Sequence, residues 1–543
     1  MKQKLKHWHY YEQKPFTKEQ RAHTTVLFGG LTFKHERILK VFLKALGYNP
    51  EILPDPSVAD FQIGKEYGNY GQCNPTYFTV GNLVNYLKKL ESEGLSKQEI
   101  VDKYVFITAS SPCGPCRFGM YQNEYRLAVT NAGFEGFRIL TFEQSKELNQ
   151  SNFESGLEIN TDFFLALIHA FNIGDLLNEI AYSIRPYEIK KGETDKVLEE
   201  SIKYLENELV NIIKPRPARK SSKFFKHSKG RSLYSFLKMY NNFFGKEINI
   251  ILKKLEYVGE CFDKIEIDRS KVKPVIKIVG EFWAQTTEGD GNFKMFSFLE
   301  REGGAVLVEP VATWISYLIH KEKLRNFDNK GIIANKLNSS FSMKSKRLFD
   351  YYKSKLMLNL ADKVFNNLYK KMSKALGGIP HDLVNQEQLA KLSHEYYNTR
   401  ASGGEGHLEV GKSIYYYKKA LCHMILSLKP FGCMPSTQSD GAQAAVQGAY
   451  GGMVFLPIET SGEGEINAHS RVQMTLGEAK RKTRDEFQNA LEETNLTEKK
   501  LKCFIENHPE LKKPSYKISK HDKTIGVAAN TVYHIKKMMD ECK

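Results

Sequence analysis

Short apolar runs and amphipathic stretches alternate along this chain. Thr25-Val26-Leu27-Phe28 is an apolar run of strand length closed by Gly29-Gly30. His35 to Leu46 reads as a helix, and Tyr48 to Leu53 reads as the next strand, after Gly47. Strand, helix and strand in that order predict a parallel sheet. A second unit starts at Tyr104-Val105-Phe106-Ile107. It passes through Cys113 and Cys116, enters a helix near Arg117 to Asn131 and ends on the strand Phe137-Arg138-Ile139-Leu140.

The pattern then changes. Residues 160 to 258 are mainly helical, with Leu198, Ile202, Leu205, Leu209 and Ile212 recurring at spacings of four and three. The segment Lys214 to Arg231 is dense in Lys, Arg, Ser and Pro and reads as an exposed loop. A second α/β region opens at Val275-Ile276-Lys277-Ile278-Val279 and continues through a polar loop, Gly280 to Asn292. A helix near Phe293 to Arg301, a strand Ala305 to Glu309 and helices over 312 to 375 follow. The last strands fall near Ser427 to Met434 and Met453 to Ile458. The fold class is therefore α/β, with two parallel-sheet domains that read as related halves. The expected divisions are an extension at 1–20, a first α/β domain at 21–155, a helical region at 156–265, a second α/β domain at 266–485 and a basic helical tail at 486–543.

Composition narrows the class. The chain has 543 residues, 41% of them apolar and 26% charged, so packed cores are expected. Met1 to Gln20 is polar, unlike a signal peptide. The most apolar run, Phe163 to Ile173, is broken by His169 and Asn172 and is too short to span a bilayer. The expected location is the cytoplasm, with no membrane partner. The net charge of +16 is compatible with an anionic substrate such as a coenzyme A thioester, with an acidic partner or with nucleic acid, and equally with a general richness in lysine. The segment Thr494 to Lys543 carries eleven lysines against six acidic residues. Within it, Thr524 to Val532 has a weak helix-turn-helix pattern, for which a basic helical tail without a nucleic-acid role is the simpler reading.

Eight cysteines in a chain of this size do not make a disulfide scaffold. Four of them lie in loops of Gly, Pro and small polar residues: Gly71-Gln72-Cys73-Asn74-Pro75, Ser111-Pro112-Cys113-Gly114-Pro115-Cys116 and Pro430-Phe431-Gly432-Cys433-Met434-Pro435. Three chemistries fit. Four thiolates on separate loops can hold an iron–sulfur cluster. Zinc takes thiolates too, although it favours two close pairs. Cys113-Gly-Pro-Cys116 alone spells a thiol–disulfide site at a strand-to-helix turn, where a helix N-terminus lowers thiol pKa. That reading leaves Cys73 and Cys433 without a role. Cys261, Cys422, Cys503 and Cys542 lack turn-forming neighbours and read as structural, Cys422 within an apolar helix-like stretch, Ala420 to Leu428.

Several motifs together resemble one family. They are Thr24 to Thr32, Gly64-Lys65-Glu66-Tyr67-Gly68-Asn69 leading into Cys73-Asn74-Pro75-Thr76, Cys113 to Arg117, Gly280-Glu281-Phe282-Trp283, Thr287-Glu288-Gly289-Asp290-Gly291-Asn292, and Pro457-Ile458-Glu459-Thr460-Ser461-Gly462. Over about residues 15 to 485 the chain resembles the C-terminal part of the large activase-related proteins of the 2-hydroxyacyl-CoA dehydratase and benzoyl-CoA reductase group.

The resemblance implies two Rossmann-like domains with an iron–sulfur cluster between them, a 4Fe–4S or a double-cubane cluster. Its ligands in this chain are expected to be Cys73, Cys113, Cys116 and Cys433. It also implies an ATP-dependent activase delivering electrons at very low potential. The chain shows no P-loop or activase glycine motif, so the activase is expected to act in trans. Characterised dehydratases hold their cluster with three cysteines and leave one iron open. Four thiols here can close every iron, which favours electron transfer or reduction. An acyl-CoA or other small-molecule substrate and a dimeric state are compatible with this reading. Arg117 can offset cluster charge or lie on a helix surface. Glu288 and Glu459 are the candidate acid–base groups, with Thr286, Thr287, Asp290 and the turn Gly403-Gly404-Glu405-Gly406-His407 in substrate-binding or helix-capping roles.

Overall fold

A computed structural model describes residues 14–110, 114–143, 156–212, 239–335, 341–401, 403–522 and 524–541. The Lys214 to Arg231 loop and Cys113 lie outside these ranges. The first domain runs β1 (Thr25–Phe28), α1 (Phe33–Ala45), β2 (Asn49–Ile52), α2 (Val58–Tyr67), α3 (Asn74–Ser92), α4 (Lys97–Lys103) and β3 (Tyr104–Ser110). A short 3-10 turn, α5 (Tyr121–Asn131) and β4 (Arg138–Glu143) complete it. Helices α6 (Thr161–Ile184), α7 (Glu193–Ile212) and α8 (Lys246–Phe262) follow.

The second domain contains β5 (Val275–Gly280), α9 (Phe282–Thr286), α10 (Met295–Arg301), β6 (Ala305–Leu307), α11 (Val311–Asn335) and α12 (Phe341–Ala375). It continues through α13 (Gln386–Ser393), α14 (Leu408–Lys418), β7 (Met424–Pro430), α15 (Met434–Ala449), β8 (Phe455–Thr460) and α16 (Glu465–Thr494). The chain ends in α17 (Glu498–Asn507) and α18 (Val527–Glu541).

The two sheets are all parallel and share one topology, β2-β1-β3-β4 in the first and β6-β5-β7-β8 in the second. In each, the chain leaves the first strand to one side and returns on the other. The loops after β1 and β3, and after β5 and β7, therefore flank a crevice at the carboxyl edge, where open parallel sheets bind ligands. Central strand β7 is buried along its whole length, as a strand covered on both faces must be. The stretch read from sequence as helix-like, Ala420 to Leu428, forms most of this strand. A continuous apolar run fits a buried strand as well as a helix. The polar loop Gly280 to Asn292 contains α9 and a 3-10 turn at Asp290–Asn292.

Helices α3 and α5 cover one face of the first sheet with Val80, Leu83, Leu87 and Tyr125. Helices α1, α6, α7 and α8 build a second core on its other side. Among the described residues, α6 is the one helix long and apolar enough to cross a membrane, and 78% of its apolar window is buried inside the molecule. The basic tail folds back: Ala528, Ala529, Val532 and Ile535 of α18 pack with Phe487 and Leu491 of α16 and Leu501 of α17. The start of the helix in the weak helix-turn-helix pattern thus faces protein.

The carboxyl edges of the two sheets face each other. Phe33 N–H donates to Glu288 at 3.0 Å, and Lys34 pairs with the same carboxylate. Val58 N–H donates to Asp290 at 3.0 Å, and Asp290 N–H returns to Pro56 O at 3.1 Å. Phe78 packs on Trp283 with ring centroids 5.5 Å apart. Helix α6 bridges the halves through Asp175, which meets His35 at 3.0 Å and accepts from Val311 and Ala312 N–H at 2.7 Å each.

Candidate metal centre

The Cys73 and Cys433 loops meet at this facing edge, and Arg117, directly after Cys116, reaches the first of them. Cys73 is the N-cap of α3, with Pro75 in the first helical turn, where its missing N–H costs nothing. Cys433 is the N-cap of α15, followed in the same way by Pro435. Helix α3 is held against α2 at two glycines. A Cβ on Gly81 would stand 1.8 Å from Asp60 O, and one on Gly64 would stand 2.0 Å from Tyr77 O. Only glycine allows that approach, and it sets where Cys73 emerges.

The loops touch directly. Asn74 N–H, beside Cys73, donates to Phe431 O at 3.0 Å across the domain boundary. A Cβ on Gly432 would lie 3.1 Å from Gln72 O and 3.5 Å from Cys73 Cα. Gly432 also sits at φ +75°, a conformation natural to glycine. Arg117, which follows Cys116, donates to Gly71 O and so ties the second loop to the first. The arginine expected either to offset charge or to cover a helix surface is a loop clasp.

The described thiols differ in depth, with Cys116 and Cys433 half-buried. Cys73 is buried, with Sγ 3.3 Å from Thr76 Oγ1 and 3.2 Å from Tyr121 Oη. Burial raises its pKa; the Thr76 and Tyr121 hydroxyls work against that, and Glu281 adds to it. Cys433 is pushed up further by burial and then by Glu281 and Glu405. A helix N-terminus alone lowers a thiol pKa, but here burial and two carboxylates outweigh it. Such thiols are poor free nucleophiles. A bound cation removes the proton outright, because its charge replaces the one the site lacks.

The carboxylates form their own pair. Glu281 caps α9 by accepting from Ala284 N–H at 2.9 Å, and Glu405 accepts from Phe282 N–H at 2.6 Å. Burial raises Glu281 to about 7. Burial and the adjacent Glu281 raise Glu405 to about 8. Two carboxylates held close in a dry site do not both ionise readily, so the pair retains a proton at neutral pH.

Of the acid–base candidates read from sequence, Glu288 is engaged by Lys34, and Glu459 is exposed on β8. Thr286 and Thr287 are buried around α9, and Asp290 pairs with Lys294 at 2.9 Å. His407, on the same turn as Glu405, is buried with neither ring nitrogen partnered. The roles of Glu281 and Tyr121 escaped the sequence reading. The available signal was their position directly after strand β5 and one turn after Cys116.

The remaining cysteines lie elsewhere. Cys422 precedes β7 at the opposite end of the sheet, and burial raises it to about 12. Cys261 is on α8 and Cys503 on α17, the latter exposed. Cys542 lies outside the described residues.

The fit of a metal group can be judged from the donors. Among the described residues, no three His, Cys, Asp or Glu side chains converge tightly enough for a single ion. A zinc site requires ligands about 2.3 Å from one centre, whereas a cluster offers corners to separate loops. Near the thiols, Asn74 Nδ2 and Thr460 Oγ1 are buried without partners. Thr460 O receives Phe431 N–H at 2.9 Å, which places it against the third cysteine loop. Unpaired buried polar atoms cost about 1–3 kcal/mol each, a cost relieved by a group that accepts their hydrogen bonds, as cluster sulfur does. Thiols on separate loops and unpaired polar atoms beside them are chemistry that the corners and sulfurs of a cluster accept. Comparison of the chain with protein-family models and with curated proteins gives no match in either.

Proposed function

We propose that this chain is a cytoplasmic iron–sulfur redox protein of the 2-hydroxyacyl-CoA dehydratase and benzoyl-CoA reductase group, similar to the C-terminal part of the large activase-related proteins. Cys73, Cys113, Cys116 and Cys433 hold the cluster between the two domains. An ATP-dependent activase acting in trans supplies low-potential electrons for an acyl-CoA or related small-molecule substrate. When bound, the cluster supplies one-electron chemistry at a potential set by burial, charge and hydrogen bonds to sulfur.

The observation that carries this reading is the contact of the Cys73 and Cys433 loops across the two domains, through the Asn74–Phe431 hydrogen bond, with Arg117 beside Cys116 joined to Gly71. The protein's own residues act around it. Tyr121 orients Cys73 Sγ. The Glu281–Glu405 pair holds a proton beside the thiols, and the seam formed by Phe61, Phe78 and Trp283 excludes water on one side.

The test is iron and acid-labile sulfide analysis of anaerobically purified protein, with electron paramagnetic resonance after reduction. About four or eight irons per chain and a brown colour are expected. Colourless, iron-free protein that reduces insulin disulfides overturns the proposal in favour of the dithiol. One tightly bound zinc overturns it in favour of a structural ion.

A further inference from the structure

We infer that Glu124 is the positioning residue for Cys73, gripping the loop that delivers it, and that its charge tunes the centre Cys73 helps to hold. The tuning rests on the proposed cluster; the positioning does not.

The loop between α2 and α3, Gly68 to Gln72, lies outside helix and strand. Two of its amides are satisfied by side chains instead. Asn69 N–H donates to Glu124 Oε2 at 3.2 Å, and Gln72 N–H donates to Tyr77 Oη at 3.0 Å. The loop's own side chains turn to the same carboxylate. Asn69 Nδ2 donates to Glu124 Oε1 at 2.8 Å, and Gln72 Nε2 donates to that oxygen at 3.2 Å. Glu124 thus accepts three hydrogen bonds, all from Asn69 and Gln72. It is 3% exposed, and among the described residues no Lys, Arg or His pairs with it. A buried carboxylate without a counter-charge is costly unless hydrogen bonds compensate. Here the compensation comes from the cysteine loop. Ala128, the next position on this face of α5, is buried and apolar, so packing alone does not call for a carboxylate.

The grip belongs to a larger clamp. The segment that follows Cys116 holds the chain from Tyr67 to Cys73 at four points. Arg117 donates to Gly71 O, Tyr121 Oη meets Cys73 Sγ, Glu124 takes Asn69 and Gln72, and Asn131 Nδ2 donates to Tyr67 O at 2.7 Å. Tyr121 and Glu124 stand three residues apart, on one face of α5. Glu124 supplies the charged acceptor, and hydrogen bonds to a charged group are roughly twice as strong as neutral ones. Gln72 is also where the loop meets the second domain, since a Cβ on Gly432 would lie 3.1 Å from Gln72 O. Releasing Gln72 therefore loosens the approach of the Cys433 loop as well. A fixed negative charge near a cluster opposes the arrival of an electron and lowers the reduction potential.

Two variants separate position from charge. Glu124→Ala removes both, whereas Glu124→Gln keeps the side-chain length and one acceptor oxygen. Hydrogen exchange of the full chain, freed of metal, reads position alone. Amides at 69–74 should exchange at least about 10-fold faster in Glu124→Ala, while those of β3 keep their protection and show the domain intact. In anaerobically prepared protein, Glu124→Ala should lose iron. Glu124→Gln should keep it, with a midpoint potential above that of the wild type, a shift that a merely structural residue would not produce. Wild-type exchange at 69–74 in Glu124→Ala overturns the positioning role. A wild-type potential in iron-loaded Glu124→Gln overturns the tuning role. A wild-type chain that holds no iron sinks the proposed function and the tuning with it, and the exchange comparison still decides whether Glu124 positions Cys73.

Discussion

The two halves of this molecule share a strand order and differ in what they place on it. In the first, the central strands are lined with Val26, Leu27, Val105 and Phe106, and the carboxyl edge carries two of the three cysteine loops. In the second, the equivalent strands bear Lys277 and Lys429, both almost fully buried. Lys277 meets Glu309 at 2.6 Å, with Lys412 3.9 Å from the same carboxylate, and Lys429 meets Glu409 at 3.1 Å. The central strands of one half are apolar, and that half carries two of the three cysteine loops. The other is threaded by ion pairs and supplies one cysteine and a buried carboxylate pair, Glu281 and Glu405, whose affinity for protons is raised. A shared topology fixes where a site forms, and the chemistry comes from separate choices on each side of it.

That contrast can be broken from either side. The largest effect is expected in the second half. Glu309→Gln leaves Lys277 and Lys412 buried without their counter-charge and should cost about 3–5 kcal/mol of unfolding free energy in urea titrations. In the first half, Phe78→Ala opens a void at the interdomain seam against Trp283 and should cost about 3–5 kcal/mol by the same measurement. Gly81→Ala forces α3 away from Asp60 O and should cost about 1–3 kcal/mol. It should also lower iron content, because Cys73 rides on α3. Normal stability and normal iron in that variant would remove the close helix crossing from the account of the site.

The smallest expected effect is a difference in pH response. Burial raises Glu36 of the first half to about 8, with Leu31 and Gly30 N–H opposing it and Asp55 adding to it. The folded state therefore holds a proton that the unfolded chain releases near 4.5. The contribution of Glu36 to stability is full below pH 4.5 and is lost as pH rises toward 8. Glu309 behaves oppositely. Burial acts to raise it, but Lys277 and Lys412 prevail and hold it near 2, so its contribution is present above 4.5 and is lost as pH falls toward 2. Stability measured between pH 5 and 8 should fall less steeply in Glu36→Gln than in the wild type. An unchanged slope would place the Glu36 proton elsewhere.

Much of the scaffold was legible in the sequence because apolar runs bounded by glycine report strands locally. Val26 to Phe28, Val105 to Ile107 and Ile276 to Val279 all fall within strands. Depth and partnership were not legible. Glu288 and Glu281 are the same residue type in one short stretch, yet only Glu281 is held at the thiols, because α9 turns it inward and Lys34 takes Glu288. Glu459 alternates outward on β8, which the pleat decides and composition does not. The meeting of Cys73 with the Cys433 loop depends on two sheets facing edge to edge. No local pattern encodes that, although Cys-x-Pro recurs at Cys73, Cys113 and Cys433.

The most direct test of sulfur from both halves converging on one centre is the iron content of single-cysteine variants prepared without oxygen. Cys73→Ser, Cys116→Ser and Cys433→Ser should each lose most of their iron, whereas Cys503→Ser, on the exposed face of the tail, should keep all of it. Full iron in Cys433→Ser, with the wild-type paramagnetic signal, would contradict the shared centre and confine any cluster to the first domain.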